Sequence, residues 1–177
     1  MEGNQGMAQR VRRWLPYFAG AVVIRVLYWA LVVPDYKARS DADQYIRISK
    51  AIADGHGYAL VFPQLEFHAT AFRPPLYPLL LTPGSLLFGD AVWPARLLNV
   101  LLGAVVVVLA GMLATRLAGR TAGRCTAVIV ALYPPLIAND AVTLTEPLAL
   151  ALLLGAILLS DDERWVWAGL AMGGLLL

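Results

Sequence analysis

Long apolar runs broken by short polar knots, with one extended polar stretch near the start, organise this chain. The run "WLPYFAGAVVIRVLYWALVV", residues 14 to 33, is long enough to cross a hydrocarbon core as a helix, for which about 20 residues suffice. A secretory signal has a shorter apolar region, about 7 to 15 residues, and a small-residue cleavage site that "ALVVPDY" does not offer, so the run reads as a retained span. Further spans are expected at about 94–117, 122–138 and 145–160, the last somewhat short and ended by the polar knot "SDDER". The run from 165 to 177 rises only about 20 Å as a helix, against a core of about 30 Å, and reads as a fifth span cut short, which makes the chain the N-terminal part of a larger protein.

Between the first two spans, residues 34 to 73 interleave acids with Lys and Arg, too charged for lipid and too long for a simple turn. "PPLYPLLLTPGSLLFG", residues 74 to 89, is apolar but carries Pro78 and Pro83, each of which removes a helix hydrogen bond that lipid cannot replace. Parity agrees with placing this stretch at the interface. Arg116, Arg120 and Arg124 then share the cytoplasmic side with Arg10, Arg12 and Arg13, as the positive-inside tendency asks, and residues 34 to 93 face outward. The expected architecture is an all-α polytopic membrane domain with about five transmembrane helices and interfacial helices in a large first outer loop.

Composition strengthens the membrane reading: 59% of residues are hydrophobic and 15% charged, more apolar surface than one soluble core of 177 residues can bury. A formal charge of +2 says little about partners, and the arginine clusters are explained by topology, so nucleic acid is not indicated. A single cysteine, Cys125, excludes an internal disulfide and a cysteine-based metal site.

Within the outer loop, "SDADQYIRISKAIADGHGY" predicts a helix with Ser40 as N-cap, Asp43 completing a weak capping box, and Gly55 closing the C-terminus. Asp41, Tyr45, Ile48 and Ile52 fall on one stripe. Acids in a first turn suit the helix dipole, which is a sufficient structural reason for Asp41 and Asp43. The alternative is that Asp41, on the apolar stripe, is held near the membrane surface where burial and neighbours tune it as a base. Arg73 has two accounts as well: snorkelling to headgroups ahead of a proline-started helix, or contact with a lipid phosphate.

Taken together, the first span, "DADQYIRISKAIADGHGY", "RPPLYPLLL", "PARLLNVLLG", "LYPPLI" and "TEPLALALLL" resemble the start of a GT-C glycosyltransferase. The nearest groups are the bacterial family 39 and 83 enzymes, related to protein O-mannosyltransferases and lipid A aminoarabinose transferases. The resemblance implies a polyprenyl-phosphate sugar donor and an acceptor hydroxyl, met on the outer face of the cytoplasmic (inner) membrane. It also implies a catalytic acid four residues before an aromatic, which falls on Asp41 ahead of Tyr45. The acid that commonly follows is absent, since residue 42 is alanine, and Asp43 is the candidate substitute. Arg73, just before the Pro-Pro pair, is the implied donor-phosphate ligand.

Tyr45, Arg96 and Glu146 are further candidates to line the site. Arg25, near the middle of the first span, is a functional candidate by default or a partner for an acid such as Glu146. The sequence implies no cofactor; His56 and His68 lack a carboxylate frame for zinc, and the two loop acids alone make no metal site while leaving a divalent requirement open. Besides the glycosyltransferase, a transporter or flippase-like protein is the alternative, with essential groups near the midplane on broken helices.

Overall fold

The fold is described from a computed structural model, which covers residues 2–60, 68–89 and 92–176. Helix α1 runs Glu2–Val32, α2 Asp41–Ala53, α3 Leu76–Phe88, α4 Val92–Leu132, α5 Pro134–Asp140, α6 Glu146–Asp161 and α7 Trp165–Leu176. Two segments, Arg12–Val32 and Val92–Leu132, are long and apolar enough to cross a membrane. Parts of the outer-loop reading fall on 61–67 and 90–91, and the end of the last expected span on 177; these lie outside the described residues.

Helix α4 is a hairpin. Its backbone leaves helical geometry at Ala118 (φ −140°) and Gly119 (φ 85°), the second a conformation open to glycine and disfavoured for other residues. The two arms meet closely: a Cβ on Gly123 would stand 1.8 Å from Thr115 Oγ1, and one on Gly111 would stand 3.1 Å from the Ala127 Cβ. These pairs are symmetric about residue 119, so the arms are antiparallel. Trp14, Ala21, Ala104, Val107, Ala127 and Ala131 form the buried cluster that joins α1 to the hairpin. Small residues dominate it because helices that cannot use water to drive association rely on close backbone approach.

At the other end of the hairpin, α2 and α3 dock across the start of α4 and the start of α6. Tyr45, Tyr77, Leu81, Ala95 and Leu148 form a second buried cluster there. Ser49 and Ser85 share a hydrogen bond of 2.9 Å between α2 and α3. The buried Arg96 ties three chain segments together, donating from Nε to the Ala141 carbonyl (2.8 Å) and from Nη2 to the Val33 carbonyl (2.8 Å). Asn99, one turn on, donates to the Val142 and Leu144 carbonyls at 2.7 and 2.9 Å and accepts from Tyr77 Oη at 2.8 Å.

Four local expectations change. Ser40 precedes α2 but makes no capping bond from its side chain: its φ is 53°, and its hydroxyl turns to Asp41 Oδ1 at 3.3 Å. Asp43 does not complete a capping box because Arg47, one turn along, takes its carboxylate at 2.6 Å. The C-terminal end of α2 follows expectation, with Gly55 at φ 83° and the Gly55 and His56 amides bonding back to Ile52 and Ala51. The chain is also not purely helical, since Ala59–Leu60 pairs antiparallel with His68–Ala69. Finally, the acid that meets Arg25 is Asp140 rather than Glu146, at 2.5 Å between Nε and Oδ2.

Candidate functional site

Arg73 is the centre of the polar cluster on the α2–α3 face. Its position follows from local backbone: the residue before a proline is steered away from helix, so the chain bends at Phe72 and Arg73 and α3 begins only after Pro74 and Pro75. Tyr58 Oη fixes that backbone from the short β-ladder by donating to the Arg73 carbonyl at 2.9 Å. Burial raises the Tyr58 phenol above its usual pKa, with Tyr45 adding to the effect and Arg73 opposing it, so the phenol stays a donor at neutral pH.

The guanidinium reaches back to α2. Its Nη2 pairs with Asp41 Oδ1, and its Nε donates to Gln44 Oε1 at 2.8 Å. Its plane lies over the Tyr45 ring at 5.4 Å and the Phe72 ring at 4.9 Å, a cation held against two aromatic faces. Among the described residues Nη1 has no hydrogen-bond partner, so the fork keeps a free donor. Arg73 is 17% exposed and Asp41 46%, which makes the arginine anchored and the carboxylate approachable.

Asp41, Arg73 and Tyr45 are therefore brought together, across 32 residues in the case of the ion pair. Asp43 is not part of this group; it lies on an exposed face with Arg47. Tyr45 is buried beneath the Arg73 guanidinium and meets Tyr77 edge-on at 5.2 Å and 84°. Arg96 is also buried, its guanidinium stacked on Trp29 at 4.5 Å and Tyr36 at 5.2 Å while bonding to backbone carbonyls, and it acts as a clamp beneath the α2–α3 cluster. Glu146 is exposed in the first turn of α6.

An apolar groove of about 90 Å³ begins one residue after Arg73, lined by Pro74, Leu76, Tyr77, Leu148, Leu152 and Leu175 among others. Sequence reasoning missed Gln44, Tyr58 and Asn99. Asn99 left a signal, a polar residue inside an apolar run one turn from a glycine; Gln44 and Tyr58 left none. Among the described residues no group of three or more His, Cys, Asp or Glu is gathered to hold a metal ion.

The sequence model of the dolichyl-phosphate-mannose-protein mannosyltransferase family matches residues 72–177, more than half of the chain. The match takes in Arg73, the Pro-Pro pair, the α4 hairpin and α6, and stops short of α2 with Asp41. No curated protein and no solved structure matches the chain. The resemblance carried by "RPPLYPLLL", "PARLLNVLLG", "LYPPLI" and "TEPLALALLL" is thus to the family that the match identifies, and the apolar helices fit its membrane setting. This chain belongs to the dolichyl-phosphate-mannose-protein mannosyltransferase family, a family of membrane glycosyltransferases.

Proposed function

We propose that the protein moves a sugar from a polyprenyl-phosphate donor to an acceptor hydroxyl on the extracytoplasmic face of the cytoplasmic membrane, with Asp41 as base and Arg73 as phosphate ligand. The observation that carries this reading is the Asp41–Arg73–Gln44 cluster, which puts a base, a planar cation with a spare edge and an apolar groove side by side. The acceptor O–H gives its proton to Asp41 as its oxygen bonds to the anomeric carbon, and the bond from that carbon to the phosphate oxygen breaks. Charge then grows on the departing phosphate. Arg73 meets it with donors fixed in direction by Gln44 and by the aromatic rings, so little reorganisation is needed when the charge appears. The groove after Pro74 takes the first isoprenoid units, keeping the phosphate at the arginine's depth. In this arrangement the spans follow the five-helix reading, the arginines at the hairpin turn facing the cytoplasm. Asp43 is held by Arg47 and has a secondary role at most in proton transfer.

The test is transfer from a panel of radiolabelled polyprenyl-phosphate sugars by membranes containing the full-length protein, beside inserted Asp41→Asn and Arg73→Ala proteins. Transfer by the wild type that both variants lose supports the reading. Movement of labelled substrate across the bilayer without transfer overturns it in favour of a transporter.

A further inference from the structure

A second polar cavity lies at the opposite end of the helices from Asp41 and Arg73. It is open to the surface, has a volume of about 520 Å³, and sits between α1 at Arg13 and Trp14, the turn of the α4 hairpin and the end of α6. Arg13, Arg116 and Arg120 line it together with Asp161 and Asp162. The two carboxylates are already used: Arg116 donates from Nη1 to Asp161 Oδ2 at 2.7 Å and from Nη2 to Asp162 Oδ2 at 2.9 Å, and also bonds to the Leu158 carbonyl at 3.1 Å. This leaves two guanidiniums, Arg13 and Arg120, facing one cavity with no hydrogen bond or ion pair among the described residues.

We propose that this cavity binds a phosphate ester, gripped between Arg13 and Arg120. Two forked donors lining one space match the oxygens of a phosphate group and offset its charge, while the Arg116 fork offsets the charge of Asp161 and Asp162, which share the cavity. The depth is right for a phospholipid headgroup: the cavity lies where the apolar segments Arg12–Val32 and Val92–Leu132 reach their polar ends or turn. Basic pockets between helices at such a boundary hold anionic headgroups. Trp14 and Met112, which also line the cavity, give it an apolar side next to the arginines, suited to the glycerol end of a lipid. A soluble phosphate ester shares this headgroup chemistry without the chains.

The experiment uses the full-length protein purified in detergent, with bound phosphatidylglycerol counted by native mass spectrometry and glycerol-1-phosphate binding measured by calorimetry. Three proteins are compared: wild type, Arg13→Gln/Arg120→Gln, and Arg12→Gln/Arg124→Gln, which removes the same charge from exposed arginines that do not line the cavity. Retention of phosphatidylglycerol that falls at least about tenfold in the first pair and stays near wild type in the second assigns the site to lipid. Glycerol-1-phosphate binding with the same variant pattern, in the absence of lipid retention, assigns it to a soluble ester. Equal losses in both pairs, or none in Arg13→Gln/Arg120→Gln, overturn the proposal. Because Arg13 and Arg120 are exposed and make no hydrogen bond or ion pair among the described residues, the melting temperature of their variant should match wild type, and an Arg13→Lys/Arg120→Lys protein should bind with intermediate strength.

Discussion

Replacing Gly103 by alanine should unseat the buried ion pair that joins α1 to the end of α5. A Cβ built at this position would stand 1.9 Å from Asp140 Oδ2, 2.5 Å from its Cγ and 2.7 Å from Arg25 Nε. Ordinary heavy-atom contact begins at about 3.5 Å, so the carboxylate has to retreat by about 1.5 Å. It cannot simply move toward Arg25, because the guanidinium is crowded by the same methyl group. Both charges are almost fully buried, at 0% and 3% side-chain exposure, and Arg25 Nη2 already has no partner, so there is no reserve of hydrogen bonds to absorb the shift. Overpacking alone costs about 1 to 3 kcal/mol, and separating a buried pair about 3 to 5, so a net loss of about 3 kcal/mol is expected. Gly155 provides the contrast: nothing lies within 4 Å of its hypothetical Cβ, and alanine there should gain up to about 1 kcal/mol from helix propensity. Reversible unfolding in mixed detergent micelles, followed by tryptophan fluorescence, reads both changes. Equal stability of Gly103→Ala and Gly155→Ala would refute the argument that glycine is needed at 103 to admit the pair.

Other outcomes follow from the geometry around α2 and α3. Arg73→Lys keeps the charge but cannot hold Gln44 and Asp41 and still present a free edge, so donor use should weaken by about 10- to 100-fold, read as a rise in the donor concentration needed for half-maximal transfer. Asp43→Asn removes only the exposed contact with Arg47 and should leave transfer within about twofold of wild type; loss of activity would give Asp43 the larger role. Tyr77→Phe leaves the buried Asn99 Oδ1 without its donor and should destabilise by about 1 to 3 kcal/mol in the same unfolding assay. Burial, against the opposing hydrogen bond to Asn99, pushes the Tyr77 phenol well above the usual 10.0. A folded pKa above the unfolded one means the unfolded state releases its proton first, so this contribution is intact below pH 10 and is lost as pH rises further. A Tyr77→Phe protein should show a shallower alkaline fall than wild type.

Much of the framework was legible because bilayer physics writes itself into composition. The apolar runs around α1, α4 and α6 announce helices, the prolines of α3 argue against a span there, and the arginine clusters at 10–13 and 116–124 point to one shared end, where Arg13, Arg116 and Arg120 do line one cavity. The turn was legible too: the break expected between the runs 94–117 and 122–138 falls at Ala118 and Gly119. Pairing between distant residues was not legible. Arg25 is visibly out of place in an apolar run, but whether its partner is Asp140 or Glu146 depends on how α5 is angled, and the space for the pair depends on Gly103 having no side chain. Likewise, nothing local to Asp41 or Arg73 says that they meet; the resemblance placed both at one site, and their contact across the loop is a product of α2 docking on α3. The failed capping box at Ser40 has a physical reason, since Arg47 competes for Asp43 at helical spacing and wins with a charged bond.

The central claim is that Asp41 and Arg73 divide the work of proton removal and phosphate binding. It is tested most directly by loading the full-length Asp41→Asn protein with a labelled polyprenyl-phosphate sugar and measuring retained donor and transferred sugar in one experiment. The account predicts donor retention within about threefold of wild type and transfer lowered by at least about 100-fold, since only the base is gone. Transfer at the wild-type rate by Asp41→Asn would contradict it.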